Sequence, residues 1–563
     1  MELTLTLSAS NLILMAVGLW GAKWLVNAWI ALYLAFESIE KYPGQGFLLL
    51  HPFRGWTIVL GTVFPPRGCM GDFYAAFSLY KKYGSTCLSS VVLWGAVPTY
   101  WLSDADAIKA VTADRSTFTK DVQAYEALNM YGLNILSVDG PEWKKHRTIA
   151  NPAFNDSNNN LVWKQTISIA NEWFSDIDQQ LMQNKKLGDP TTLVDLSSVL
   201  ARITLSVIAF AGFGRRAPWS EDIETPGGQV MTFKPAVIGA TKSVIPYVVT
   251  PTWLYNLAKR VRIPLLTSAG QYFDALKVHM LEVISHSRAK AADGKGFELE
   301  AALLRNLVQA NMIEGMAQGC KLLSDDELLA DMFAFLLAGH DTLAHSMTFA
   351  IELLSLYPEV QDKVREEAAC LWPDGFPCSE SVGRYKESMN QLGYTTAVFQ
   401  ESLRLHPAVP RLSKIVQRDT ILPTRQFSSG PDGAIEDVMC SEIHVKPGNT
   451  IIIDIVGLQR NPIHWGNDAE EFKPERFIDT PTYHWPRNAF LAFSSGPRSC
   501  IGQRFALTEA TCLLAGLVLK YEILPPKNLK GTTREERQAN LLKWIPSATA
   551  TPINAFVRLR RRK

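Results

Sequence analysis

The feature that most constrains this chain is one apolar pattern that starts at Ser324 and runs to about residue 357, just before Pro358. Ser324, Asp325, Asp326 and Glu327 have the S-x-x-E form of a capping box and set acids at the positive end of a helix dipole. A helix of ~33 residues is nearly three times the usual ~11 to 12, so it should cross most of the domain that contains it. Helical patterns dominate the rest, and strand-like runs are few. They are 91–102 and 443–456, the second broken by a turn at Lys446-Pro447-Gly448. The fold class is therefore mainly α with small β-sheets. In mid-helix stand Ala338, Gly339, His340, Asp341 and Thr342, where a glycine costing ~1 kcal/mol of propensity lies beside an acid and a hydroxyl. Such a weak point predicts that the helix opens there. The alternative is a glycine for close packing and a threonine bonded back to its own turn.

The N-terminus predicts an anchor. Residues 3–22 carry no charged side chain, and at ~1.5 Å rise per residue they can cross a ~30 Å hydrocarbon layer. After Lys23 a second apolar run, 24–36, is too short to cross alone. It extends the first span with Lys23 snorkelling, or lies in the interface beside Trp24, Trp29 and Tyr33. A cleaved signal peptide is disfavoured, because the run is longer than a signal core and the positive charges follow it. Lys23, Lys41, Arg54 and Arg67 on its C-terminal side favour a cytoplasmic bulk, and Pro43-Gly44 and Pro65-Pro66 punctuate the exit from the membrane.

Residues 1–54 thus read as anchor and hinge. Residues 55–563 read as one large domain, since no linker, charge block or repeat interrupts them. Lys and Arg number 56 against 55 Asp and Glu, a net charge of +1, which leaves no field to hold a nucleic acid. The eight cysteines include no C-x-x-C pair, so neither a disulfide scaffold nor a zinc ribbon is indicated and a reducing compartment fits.

Chemistry concentrates at Phe493-Ser494-Ser495-Gly496-Pro497-Arg498-Ser499-Cys500-Ile501-Gly502, followed by an amphipathic stretch from Gln503 to about Lys520. Gly496 and Gly502 allow tight turns around Cys500. The next helix aims its dipole and free N–H groups at the sulfur, which favours a metal-binding thiolate. Arg498 can lie beside an anionic group of a flat cofactor, and Phe493 can cover the sulfur.

This F-x-x-G-x-R-x-C-x-G pattern resembles the haem-binding signature of the cytochrome P450 superfamily at every fixed position. The resemblance implies that Cys500 is the axial ligand of haem b. Glu401 and Arg404 resemble the family's E-x-x-R, and Pro474-Glu475-Arg476-Phe477 its P-E-R-F segment, which implies that Arg476 joins that pair in a buried charge network. Trp143 and Arg147 resemble its W-x-x-x-R, implying contacts to a haem propionate. Lys414 stands where relatives often carry a propionate-binding arginine, and lacks the bidentate fork.

Thr342 and Asp341 take the proton-delivering positions of the family's oxygen groove, with Gly339 leaving room for the diatomic ligand and His340 in a variable, polar-face slot. Tyr125, Leu133, Phe333, Ala334, Leu337, Ala338, Val409, Leu412 and Ile545 match regions that line family pockets. The implied activity is insertion of one oxygen atom from O2 into a lipophilic substrate entering from membrane lipid. Terpenoids or related secondary metabolites of fungal type are the first reading. Fatty acids, sterols, an O2-independent isomerase or dehydratase, and a non-catalytic haem protein are the alternatives.

The chain has no flavin or nicotinamide site of its own. Gly212–Ala217 fits G-x-G-x-x-A but follows a helical pattern and precedes Pro218, so it reads as a helix end. The implied electron source is a separate NADPH-cytochrome P450 reductase. Lys144, Lys145 and Arg504 form its docking face or an ordinary solvated surface. The implied location is the endoplasmic reticulum membrane, single-pass, with a cytosolic catalytic domain that leaves the Asn155 sequon unmodified.

Overall fold

The structure, a computed structural model, describes residues 9–39, 41–48, 51–53, 75–219, 231–250, 252–261, 264–293, 301–313, 322–378, 385–431, 433–547 and 549–562. The expected boundary at residues 54 and 55, Arg54, Pro65-Pro66, Arg67 and the first residues of the charge-free run lie outside them. The two N-terminal apolar runs form one continuous helix, Ala9–Ile39. Residues 24–36 therefore extend the first run through Lys23. Met15–Ile39 is long and apolar enough to cross a membrane. Leu196–Phe213 is also long and apolar enough, but it is mostly buried in protein and is a core helix.

The described residues fall into two compact units. The first comprises residues 1–120 and 411–463. Its six-stranded sheet has the order Gly44–Leu48, Cys87–Val92, Val97–Leu102, Thr450–Asp454, Arg411–Val416 and Phe118–Lys120. The run 91–102, expected as one strand, spans a hairpin: Cys87 pairs with Leu102 and Val92 with Val97. The chain reverses where Gly95 and Ala96 take φ of 100° and 52°. In the second run the expected turn separates Ile435–Val445 from Thr450–Asp454. Its last residues enter a short helix, Ile455–Gln459, because the Asp454 carboxylate caps it by accepting from the Gly457 N–H at 3.2 Å.

The second unit, residues 121–410 and 464–563, is the helical one. Asp325–Leu356 forms the long central helix, and its capping box is present: Ser324 Oγ accepts from Glu327 N at 3.1 Å and Glu327 Oε2 from Ser324 N at 2.9 Å. Its side chains are buried on nearly every face from Leu328 to Leu356, as expected of a helix in the middle of a large core. Leu196–Phe213, Gly393–Leu405 and Gln503–Lys520 pack on it.

The helix is unbroken at residues 338–342, so the expected opening is corrected. A Cβ on Gly339 would stand 2.8 Å from Cγ1 of Ile208. The missing side chain admits Ile208 of the neighbouring helix. Gly214, with φ 68°, closes Leu196–Phe213 in the left-handed conformation, which makes the 212–217 pattern a helix end. Asn155 caps the helix Asp156–Lys186 by accepting from Asn158 N at 2.9 Å.

Candidate active site

The residues around Cys500 form a closed loop. Cys500 N donates to Phe493 O at 2.8 Å, and Ser499 N to Gly496 O at 3.0 Å. The reversal uses left-handed backbone at Ser494 (φ 59°) and Gly496 (φ 71°). Gly502 differs from expectation. Its φ is −89°, which is not a special turn, and a Cβ there would make ordinary contacts, 3.9 Å from the Phe154 ring and 4.0 Å from Cys500 Sγ.

The helix Gln503–Lys520 follows as expected. Cys500 keeps an accessible face, although protein atoms surround the sulfur. Burial pushes its thiol above the ordinary value, opposed by the Gly502 N–H and the Arg147 guanidinium. The amide and the guanidinium are the two groups beside the sulfur that favour the thiolate, as the loop's composition leads one to expect.

The helix Gly140–Ala150 brings Trp143 and Arg147 to this loop. Arg147 Nη1 donates to Ser499 O at 3.0 Å. Arg498 lies with Cζ 4.5 Å from the Trp143 ring centre, and its Nη2 donates to Val138 O at 2.7 Å and Asp139 Oδ1 at 2.6 Å. Phe493 packs edge-on to Phe490 at 6.4 Å. Loop, indole and two guanidinium groups are therefore assembled by the second unit alone. Lys414 lies in the first unit, on Arg411–Val416, where it pairs with Lys120 in the strand register.

Glu401, Arg404 and Arg476 also come together. Arg404 Nε and Nη2 donate to the two Glu401 oxygens at 2.6 and 2.8 Å, and both residues are fully buried. Arg404 Nη1 donates to Ala469 O at 2.6 Å, while Arg476 Nε lies 3.5 Å from Glu401 Oε1. Lys473 N adds a bond to the same oxygen at 2.8 Å. Burial raises the Glu401 pKa, and Arg404, the Lys473 amide and Arg476 work against that shift.

On the central helix, Thr342 Oγ1 donates to Ala338 O at 2.7 Å, the back-bond of a threonine in a closed helix. Asp341 Oδ2 accepts from Thr549 Oγ1 at 3.1 Å. His340, expected on a polar face, is buried, with Nδ1 2.7 Å from Leu336 O, and burial lowers its pKa.

Of the expected pocket residues, Phe333, Ala334 and Leu337 are buried in one apolar cluster that includes Trp143. The Phe333 ring lies edge-on to Tyr131 at 5.2 Å. Tyr125 is pushed up to about 12, by burial first and then by Asp121, with Arg498 opposing. Leu133 and Ile545 are half exposed. Val409 lies just past Gly393–Leu405, and Leu412 in the first unit.

Sequence reading missed His146, Asp331, His345 and Thr549. His146, fully buried, has Nδ1 2.6 Å from Asp331 Oδ2 and joins Gly140–Ala150 to the central helix. Glu142, His146 and Glu327 have the spacing of a metal site. The Lys145 ammonium bridges the two glutamates at 2.8 and 2.7 Å and supplies the cation.

Comparison with known proteins gives the same picture. The family profile described as Cytochrome P450 matches residues 52–432 and 433–549. This chain belongs to the cytochrome P450 family. A Postia placenta protein named cytochrome P450 monooxygenase 124 is 33% identical over 532 residues, covering 94% of this chain and 95% of the relative. Cytochrome P450 monooxygenase ORF6 of Penicillium roqueforti is 25% identical over 451 residues, 75% of this chain and 73% of its own length. Cytochrome P450 709B3 of Arabidopsis thaliana is 26% identical, covering 80% and 79%.

The chain is thus a P450 monooxygenase, and the family implies a haem-thiolate cofactor, O2, a redox partner and lipophilic substrates. The residues fit that group. Cys500 supplies a soft sulfur donor on an exposed residue, the Gly502 amide donates to that sulfur, and Arg147, Arg498 and Trp143 lie beside its loop as donors for carboxylates.

Proposed function

We propose that this P450 binds haem b and inserts one oxygen atom from O2 into a lipophilic substrate of the terpenoid or secondary-metabolite class, with electrons from a membrane-bound NADPH-cytochrome P450 reductase. Residues 1–54 would anchor it in the endoplasmic reticulum membrane, and residues 55–563 would form the cytosolic catalytic domain. The observation that carries this reading is the Cys500 loop, in which the Gly502 amide donates to the sulfur and the Arg147 guanidinium lies beside it. Haem b, when bound, supplies reductive activation of O2 and oxygen transfer.

The chain's own residues do the rest. Cys500 would hold the iron, while Arg147, Arg498 and Trp143 would hold the propionates. Lys144 and Arg504 are the exposed basic residues of the expected docking set, and Lys144 is available to the reductase. Lys145 is tied to Glu142 and Glu327, and Arg504 to Asp156 at 2.5 Å. Thr342 and Asp341 deliver protons: Thr342 Oγ1 offers an acceptor lone pair while its own proton rests on Ala338 O, and Asp341 carries the exchangeable proton. Burial of Phe333, Ala334 and Leu337 in apolar surroundings favours a ligand that arrives from lipid.

Two experiments test this. Cys500→Ala should abolish the red-shifted absorption band of the reduced, CO-treated protein, and an unaltered band would refute the ligand. Binding difference spectra against terpenes, sterols and fatty acids should favour the terpenes. A stronger sterol or fatty-acid response would overturn the substrate class.

A further inference from the structure

The central helix and the C-terminal hairpin meet at a closed ring of three side chains. The hairpin pairs Trp544–Pro546 with Ala550–Pro552 and carries Thr549 in its turn. Thr549 Oγ1 is 3.1 Å from Asp341 Oδ2 and 2.8 Å from His345 Nδ1, and His345 Nε2 is 3.7 Å from Asp341 Oδ1. One helical turn separates Asp341 from His345, so both share a helix face. Ala550 N fixes the hairpin from its other side by donating to Ala408 O at 2.8 Å. Side-chain exposure is 13% for His345 and 23% for Asp341, which leaves His345 a route to water while most of its ring is shielded.

A hydroxyl has one proton and can both donate and accept. Two proton arrangements therefore satisfy all three groups. With Asp341 ionised, Thr549 donates to Oδ2 and His345 Nδ1–H donates to Thr549. With Asp341 protonated, the carboxyl donates to Thr549, which donates to a bare Nδ1. The two differ by a concerted shift along the ring, and no heavy atom has to move.

We propose that His345 recharges Asp341 with protons through the Thr549 hydroxyl, making these two residues a supply line that feeds the oxygen groove from the C-terminal hairpin. The inference rests on the reading of Asp341 as a proton carrier. In the transfer the N–H bond of an imidazolium breaks, its proton passes to Thr549 Oγ1, and the former threonine proton bonds to Asp341 Oδ2. An imidazolium and a carboxylate become a neutral imidazole and a neutral carboxyl, with no electrons exchanged. A proton from water then returns to Nδ1, the nitrogen left bare, as the Thr549 hydroxyl turns back to Asp341 Oδ2.

The titratable groups that bear on His345 are Asp341 and His340 of its own helix and Lys242 of the helix Phe233–Lys242. Burial lowers the His345 pKa first, Asp341 opposes that, and His340 and Lys242 add to it. The supply should therefore weaken as pH rises through a value below the ordinary histidine range.

The test uses the full-length, haem-loaded protein with reductase and measures product formed per NADPH oxidised across mildly acidic to mildly alkaline pH. His345→Gln keeps a donor for Thr549 but cannot shuttle a proton, whereas Thr549→Val removes the bridge and Thr549→Ser retains it. His345→Gln and Thr549→Val should each lower coupling roughly 10-fold and flatten its pH profile, with the reduced-CO band intact. Thr549→Ser should restore both.

Hydrogen–deuterium exchange over residues 544–552, read on the same proteins without turnover, should rise in Thr549→Val and stay unchanged in His345→Gln. Coupling and pH profile unchanged in His345→Gln, while Asp341→Asn uncouples, would overturn the supply line and spare the role of Asp341. Loss of coupling in His345→Gln with an unaltered pH profile would also overturn it, leaving only a structural contact. Full coupling in Asp341→Asn would overturn the underlying reading itself.

Discussion

Two carboxylates of the helical unit, Glu401 and Asp341, are held in opposite ways. Glu401 is fully buried and accepts from Arg404 at 2.6 and 2.8 Å and from Lys473 N at 2.8 Å. Asp341 is 23% exposed, accepts one hydroxyl at 3.1 Å, and faces an imidazole at 3.7 Å. In the first cluster short bonds from fixed donors occupy both oxygens, so neither proton nor side chain can move without leaving a buried charge unpaired. In the second, one hydroxyl mediates everything and the protons have two arrangements. Saturation marks a group that holds the fold; spare capacity marks one that can pass a proton.

The sharpest way to break that contrast is Arg404→Leu, which strands Glu401 in the core. It should cost ~3 to 5 kcal/mol and prevent a stable haem-loaded protein, measured by chemical denaturation and haem content. Near wild-type stability would show the network to be dispensable.

Gly339→Ala asks whether the helix beside Asp341 is spacious or packed. Against Ile208 at 2.8 Å, the added methyl should cost ~1 to 3 kcal/mol, and Ile208→Ala should recover part of it in the double variant. A neutral Gly339→Ala would return the glycine to a ligand-clearing role.

Glu352 and Glu509 are a third kind of carboxyl, fully buried, with no hydrogen-bonding partner among the described residues for either oxygen. Burial raises both pKa values well above the ordinary range. The folded state therefore keeps protons that the unfolded chain releases above ~4.3. Their stabilisation is complete below that pH and is lost as pH rises toward the folded-state values. Glu509→Gln should reduce the fall in stability with rising pH by up to about 1.4 kcal/mol per pH unit, read from denaturation midpoints at several pH values. An unchanged slope would mean that Glu509 is ionised and paired with water.

Ser324→Ala, which removes the cap of the helix carrying Asp341, should cost ~1 kcal/mol. Asp341→Asn should change stability by no more than ~0.5 kcal/mol, and yet uncouple electron flow from product. A stability loss as large as that of Arg404→Leu would place Asp341 with Glu401 and end the comparison.

Much of the site was legible because its residues are local in sequence. The Cys500 loop closes within ten residues by bonds such as Cys500 N to Phe493 O, and Glu401 and Arg404 meet within one helical turn. The Ser324 capping box is equally local. What misled was context. The glycine at 339 weakens an isolated helix, but Ile208, more than a hundred positions earlier, packs into the notch and keeps the helix whole. His345 lies four residues from Asp341 and could have been noted from helical spacing. Thr549, which gives that pair its meaning, could not.

The sequence by itself determined the elements and the chemistry: a long capped central helix, a cysteine loop entering a helix, an E-x-x-R pair and an apolar N-terminal helix. Each depends on bonds between near neighbours in the chain, where residue type and spacing suffice. Only the tertiary structure decided which groups are desolvated and which distant side chains complete them, from Ile208 against Gly339 to Thr549 between Asp341 and His345. Burial and long-range contact belong to the packed whole, and these shift a pKa or give a proton somewhere to go.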